Sequence, residues 1–535
     1  MGKKRDHGFI NWGLTPLYSE NSRYSYYSQP SINSDENVQK NTGYSQVDLF
    51  QKFLVKLGDT NLLNINIQFS ESSDIDRFDQ LSITKGGSLK FSEWYYGPQK
   101  RFLISPSLKI FPNRKFMKKG AITFGFQKIN ESRIKRNFNT LNRSHQIEDL
   151  KVFSLNGDFD TSFNNGHSIS YGVESTYNYN YSKAYDQTLE IQSNQITGLS
   201  KKFAIPTRYP SNGSSYTSFA SYVNWSWNMS EFFTFNIGTR LTFTGLKANW
   251  NDVISVNPQL SKVDLNSKAL TTTVSIKLRP SKRIQINTVL SSGFRNPNID
   301  DIGKIFDSQP GLVVVPNSNL KPEYAYGGEL GVTVNLKESV IFDCSAYYTY
   351  LDNALVRKSF EVDGVSQIEY DGDLSEIQAI QNASKSWIYG FEAGLKVRFS
   401  KDLKFTTQYS YVHGVQEETP GVELPVRHVA PVFGNAHLVW KNNKFQIDGF
   451  VNYNGALSSS DISAELADSL FALDAQGKPY APSWYSLNIR TQYDFNKSLT
   501  IVGAIENITN QRYRTFSSGI SAPGTNLICA ITYKL

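Results

Sequence analysis

Residues able to bind or react with something are spread thinly along this chain, and few of them cluster. Arg295 precedes Asp300 and Asp301, with Asp307 a little further on. An arginine beside carboxylates suits an anion or an ion-pair network. Three carboxylates also invite comparison with a calcium loop, but calcium takes about six to eight oxygens from closely spaced ligands. The spacing here is loose, so no metal site is expected. The histidines, His7, His145, His167, His413, His428 and His437, are too scattered for haem or metal ligation to be read from them. No Ser-His-Asp spacing, phosphate loop or zinc motif appears. No catalytic, metal or cofactor-binding residue is therefore assigned, no cofactor is expected, and the chain does not read as an enzyme. Tyr179 and Tyr181, within Asn178-Tyr179-Asn180-Tyr181, could offer stacking faces and hydroxyls from a loop to a small ligand. Cys344 and Cys529 lie far apart in strand-like segments and read as small apolar side chains rather than a disulfide framework.

The elements that must position these residues are strands. Leu270, Thr272, Val274, Ile276 and Leu278 alternate with Thr271, Thr273, Ser275, Lys277 and Arg279. After a turn at Pro280-Ser281-Lys282, Ile284, Ile286, Thr288 and Leu290 continue the pattern. Period-two alternation is the signature of a strand with one apolar and one polar face. It recurs from Phe391 to Phe399, from Tyr485 to Tyr493, and from Leu527 to Leu535 at the end of the chain. About twenty such segments can be counted, starting at Phe9–Leu17.

Connection length separates a membrane barrel from a soluble one. Tight turns near Gly58-Asn61, Met229-Glu231, Pro280-Lys282, Lys337-Glu338, Ser400-Asp402, Lys441-Lys444 and Asn496-Ser498 alternate with long polar stretches at 71–99, 181–216, 244–267, 294–324, 352–385, 413–434, 455–482 and 508–526. Consecutive connections of an up-and-down barrel lie at opposite ends. Membrane barrels have short inner turns and long outer loops. The segments run about 9–13 residues, which suits a tilted membrane strand of about 9–11 residues. The composition agrees: mean hydropathy is only -0.40, yet there are 30 Tyr, 34 Phe and 8 Trp, as expected where one face meets water and aromatic girdles mark the interfaces. No run approaches the roughly 18 apolar residues of a spanning helix. The net charge of +7 reads as scattered solvated charge, with basic loops touching phosphorylated surface lipid as the alternative. No basic cluster suggests nucleic acid.

Several stretches resemble the TonB-dependent receptor family, particularly its members from Bacteroidetes-like bacteria. Ser292-Gly293-Phe294-Arg295-Asn296-Pro297-Asn298-Ile299-Asp300-Asp301, followed by Val315-Pro316-Asn317-Ser318-Asn319-Leu320-Lys321-Pro322-Glu323, is similar to a family segment leading from one strand into the next. Glu506-Asn507-Ile508-Thr509-Asn510-Gln511-Arg512-Tyr513 is similar to the family's stretch before the last strand. Glu93 to Lys100 and Pro425 to Pro431 also look familiar. Each segment has a plain reading too. Asn and Pro set turn dihedrals, and Tyr513 would serve as a girdle aromatic.

The expected fold is therefore all-β: a large antiparallel transmembrane barrel occupying 1–535, with about 20 of the family's 22 strands. Counting back from Leu535 makes Phe9–Leu17 about the third strand. Signal peptide, plug and first strands are then missing, and the chain reads as N-terminally truncated. The charged start Met1-Gly-Lys-Lys-Arg-Asp lacks the apolar run of a signal peptide. What the resemblance implies is an outer-membrane, monomeric receptor in bacterial lipid. It would take up a scarce small-molecule ligand (an iron chelate, haem, cobalamin or an oligosaccharide), and couple to the TonB complex only when its plug is present. Arg295, Asp300, Asp301, Tyr179 and Tyr181 are the lumen or loop candidates for ligand contact. The alternatives are a passive porin-like channel, a non-functional fragment, a barrel enzyme, and an adhesin or soluble β-rich module.

Overall fold

The computed structural model describes residues 2–4, 7–8, 38–39 and 41–534, apart from 82, 86, 113, 194, 251–261, 303–305, 310, 338, 371–372, 420, 464–470 and 519. Among the described residues, nineteen long strands carry the fold. They are β1 (Tyr44–Leu57), β2 (Asn61–Ser72), β3 (Lys100–Ile110), β4 (Lys119–Asn137), β5 (Asn142–Ser162), β6 (His167–Gln192), β7 (Ser214–Asn228), β8 (Phe233–Asn249), β9 (Lys262–Ser281), β10 (Ile284–Arg295), β11 (Glu323–Leu336), β12 (Val340–Ser359), β13 (Asp373–Arg398), β14 (Leu403–Thr419), β15 (Phe433–Lys441), β16 (Phe445–Asn454), β17 (Trp484–Asp494), β18 (Leu499–Glu506) and β19 (Asn526–Tyr533). Each pairs antiparallel with the next along the chain, from β1 with β2 to β18 with β19. The first expected strand, Phe9–Leu17, lies outside the described residues.

The registers carry one apolar face from strand to strand. Ile237 pairs with Val274, Val274 with Leu290 and Thr288 with Leu330. Leu330 in turn pairs with Ala346 and Ala346 with Phe391. This face is solvent-open in the isolated chain: Leu155 and Leu330 are each 52% exposed. A face this apolar that is not packed on protein belongs in lipid. The opposite face carries Asn, Ser, Thr and charged residues and lines the lumen.

Aromatic clusters mark both rims of the apolar band. Next to the short turns 163–166 and 229–232, His167 stacks on Trp227 at 5.4 Å, and Trp225 packs edge-on against Phe235. At the far rim, Tyr326, Tyr350 and Trp387 form a row with centroids 6.4 and 6.1 Å apart. Amphipathic rings favour these interfaces.

The expected strand length of about 9–13 residues holds for β2, β3, β10, β15, β16 and β17 but was too short for the longest strands. β6 and β13 each run 26 residues, β5 runs 21 and β12 runs 20. A tilted strand needs about 9–11 residues to cross, so these continue well beyond the lipid as outer hairpins. Above the bilayer both faces meet water, so hydrogen-bonded strand persists without apolar alternation. Much of 181–216, 244–267 and 352–385 therefore looked like loop and is strand.

Candidate ligand-binding mouth

The long-loop end is where a ligand from outside would arrive. Two structures there close around the lumen side.

The first surrounds Arg295, the last residue of β10. Its neighbour Phe294 lies on the outer face against Tyr324, so alternation turns Arg295 inward beside its partner Glu323. The guanidinium bonds Asp301 at 2.5 Å and lies 3.6 Å from Glu323. Asp301 also accepts the Asn298 N–H at 3.0 Å, while the Asn298 side chain accepts the N–H groups of Asp300 and Asp301. This reciprocal capping starts the short helix Ile299–Ile302. Asp300 accepts from the Tyr209 hydroxyl at 2.5 Å. Arg295, Asp300 and Asp301 are thus brought together, but Arg295 and Asp301 answer each other and Asp300 is taken up by Tyr209. Their evident work is to pin the 296–322 segment, whose Ile302, Val313, Val315 and Leu320 bury against Leu246, Ala248 and Val263. Leu312–Val315 then pairs in parallel with Glu376–Ala379 of β13. Asn317 and Lys321 fasten the same loop to Ile380 and Asn382, the turn-forming role expected of that segment. No cluster of three or more metal-ligating side chains occurs among the described residues.

The second is a cavity of about 280 Å³ between the connections 455–483 and 507–525. Trp484, inward on β17, stacks on Tyr513 with centroids 4.1 Å apart. Phe471 and Phe516 form the facing wall, 6.0 Å apart. Arg512 and Arg514 complete the lining. Burial lowers both guanidinium pKa values, and for Arg512 the charge of Arg514 adds to this. Burial raises that of the Tyr513 phenol. Trp484 Nε1 is buried without a hydrogen-bond partner among the described residues. Two cations held beside stacked aromatics, with a spare indole donor, suit a planar or aromatic anion.

Asn507 builds this loop. At φ 50°, it accepts the Gln511 N–H at 2.8 Å and donates to the carbonyls of Gln511 and Pro523. Those bonds carry Tyr513 onto Trp484. The girdle role expected for Tyr513 is therefore corrected: it lines the mouth. Sequence reasoning did not single out Trp484, Arg512 or Arg514 as a site, and adjacency to the Asn507 motif was the available signal.

Tyr179 and Tyr181 also move. They sit on β6 rather than in a loop, paired with Lys151 and Asp149 of β5. They share the parity of Tyr177 and Val173 and so face outward, away from the lumen. Among the histidines, His437 gains a partner that sequence did not reveal, the Asp448 carboxylate at 3.1 Å, and stacks on Phe450. His428 lies 3.0 Å from the Ser517 hydroxyl and ties the 420–432 connection to the cavity wall.

A family model for "TonB dependent receptor-like, beta-barrel" matches residues 8–508. Among curated relatives, a hemoglobin and hemoglobin-haptoglobin-binding protein A of Haemophilus influenzae is 24% identical over 257 residues, covering 46% of this chain and 23% of its own. A probable hemoglobin and hemoglobin-haptoglobin-binding protein 3 of the same species is 22% identical over 405 residues, covering 65% and 35%. The chain thus spans about a quarter to a third of the length of these relatives. Among solved structures, the copper transporter OprC overlays with a TM-score of 0.73 at 9% identity, covering 93% of this chain and 73% of that one. The FrpB iron transporter from Neisseria meningitidis overlays at 0.68 and 12%, covering 99% and 76%. The hemophore receptor HasR of Serratia marcescens overlays at 0.68 and 13%, covering 93% and 73%. The barrel is an outer-membrane one, and the chain belongs to the TonB-dependent receptor family, whose β-barrel it forms.

Proposed function

We propose that this barrel is the membrane part of a monomeric receptor for active, TonB-coupled uptake, and that its cargo is a planar aromatic anion such as haem or an aromatic iron chelate. The family is one of transport receptors rather than enzymes. The observation that carries the reading is the mouth cavity, where Trp484 and Tyr513 stack beside Arg512 and Arg514. Aromatic faces hold the ring system, and the arginines answer its carboxylates or oxyanions. The relatives named for haemoglobin binding and the overlaid iron transporter and hemophore receptor support that class.

Coupling to the inner membrane calls for a plug, and we propose that plug and first strands belong to a longer chain. The share of the compared proteins that this chain covers supports this: 23% and 35% of the haemoglobin-binding relatives, and 73% and 76% of the overlaid copper and iron transporters.

Haemin titrated into the full chain in uncharged detergent, followed by tryptophan fluorescence, tests the site. Arg512→Ala with Arg514→Ala should weaken binding roughly thirtyfold, each cation over or beside an aromatic being worth about 1 kcal/mol. Unchanged affinity in that variant would remove the cavity from the mechanism. Steady ion conductance in a planar bilayer that persists in the longer, plug-bearing chain and is indifferent to haemin would favour the passive channel.

A further inference from the structure

The outer wall carries a second feature, on the face turned away from the lumen. On β4, β5 and β6 the register sets Phe126 against Phe153 and Phe153 against Tyr177. Phe126 and Phe153 pack at 5.0 Å. The next outward rung, about 6.6 Å further along the strands, reads Lys128, Lys151 and Tyr179. One rung beyond come Asp149 and Tyr181, and then Lys183, whose ammonium lies 5.2 Å over the Tyr181 ring. On the neighbouring β3, Lys100 is paired to Glu71 of β2 at 2.6 Å. On β4, β5 and β6 the apolar wall therefore gives way within one rung to lysines and phenols, while on β3 and β2 the same rung stays apolar with Phe102 and Phe69.

Like charges directly opposite on a sheet repel. Lys128 and Lys151 are Cα partners. Asp149 answers Lys128 at 3.5 Å. Lys151 is exposed and has no ion-pair partner within 4 Å among the described residues. Lys128 is thus answered within the sheet, and Lys151 keeps an unbalanced charge where the apolar face of β4 to β6 gives way. In a bilayer that is the level of lipid headgroups, within reach of a lysine stem with its charge in the polar layer.

The geometry points to a binding site for a phosphorylated lipid headgroup of the outer leaflet on this wall. Its acyl chains lie along Phe126, Phe153 and Tyr177. One phosphate sits between Lys128 and Lys151, and the phenols of Tyr179 and Tyr181 donate hydrogen bonds. Lys183 answers a second anionic group higher on the headgroup. Charge complementarity and continuity with the lipid band commit the site to a lipid rather than to free phosphate. It also gives Tyr179 and Tyr181 a task on the outside of the cylinder, separate from the mouth cavity.

The full chain in uncharged detergent is titrated with a bis-phosphorylated glycolipid, with the same glycolipid stripped of phosphate, and with inorganic phosphate alone. Retention is read by native mass spectrometry. The bis-phosphorylated lipid should bind and the stripped lipid should not. Lys128→Gln with Lys151→Gln should lower affinity roughly 25-fold, about fivefold for each lysine near a charged surface. Tyr179→Phe with Tyr181→Phe should lower it less. Lys282→Gln, at the short-turn end, should change nothing. If the double lysine variant fails to fold, Lys151→Gln alone, at an exposed position without an internal partner, should still lose about fivefold. Equal binding of both glycolipids, equal occupancy by inorganic phosphate, or unchanged affinity in the folded lysine variants would each overturn the assignment.

Discussion

Leu330 tests the assignment of the two faces most directly. It lies on β11 about midway between the short-turn end and the outer rim, on the apolar face between Thr288 and Ala346, and is 52% exposed. Three residues on, Thr333 points the opposite way, into the lumen, beside Asp343. An arginine at the bilayer midplane on the lipid face costs about 2–4 kcal/mol, or roughly 30- to 1000-fold in the folding equilibrium. An arginine replacing Thr333 meets lumen water and the Asp343 carboxylate and should cost close to nothing. Both variants, refolded into phospholipid vesicles and titrated with guanidinium, should therefore differ by at least about 2 kcal/mol, with Leu330→Arg the weaker. Equal destabilisation, or a larger loss at Thr333, would refute the face assignment and with it the membrane barrel.

Glu93 predicts a local effect. Its fully buried carboxylate is bonded to Arg136 at 3.2 Å and to Arg143 at 2.6 Å, which pins the 73–99 connection to β4 and β5. Removing one partner of a buried ion network costs about 3–5 kcal/mol, so Glu93→Gln should speed amide exchange and proteolysis at 73–99 while the spanning strands stay protected. His145, on β5 well above the lipid band, stacks on Tyr185 at 4.7 Å. Burial, then the charges of Arg143 and Lys202, lowers its pKa to about 4 from 6.5. The unfolded state then binds more protons between those values, so the stability of the outer β5–β6 hairpin should fall as pH drops from 6.5 to about 4. Hydrogen exchange across that range should detect the loosening, and His145→Phe should abolish its pH dependence.

What the sequence determined by itself is whatever repeats at short range. Alternation at Leu270 to Leu278 or Tyr485 to Tyr493 follows from one strand having two different solvents, and no distant residue is needed to see it. The same holds for the short turns against long connections, and for the family likeness carried by Asn317 to Glu323 and Asn507 to Tyr513. The tertiary structure decided everything that depends on a partner. Arg295 is neutralised by Glu323 across a 27-residue connection, and Glu93 meets an arginine 50 positions away. Trp484 meets Tyr513 only after Asn507 has bent the chain. Tyr179 and Tyr181 show the limit most plainly. Beyond the bilayer both faces of a strand touch water, the alternation that marks a strand is no longer demanded, and only the hydrogen-bonded register reveals which side of the wall a side chain serves.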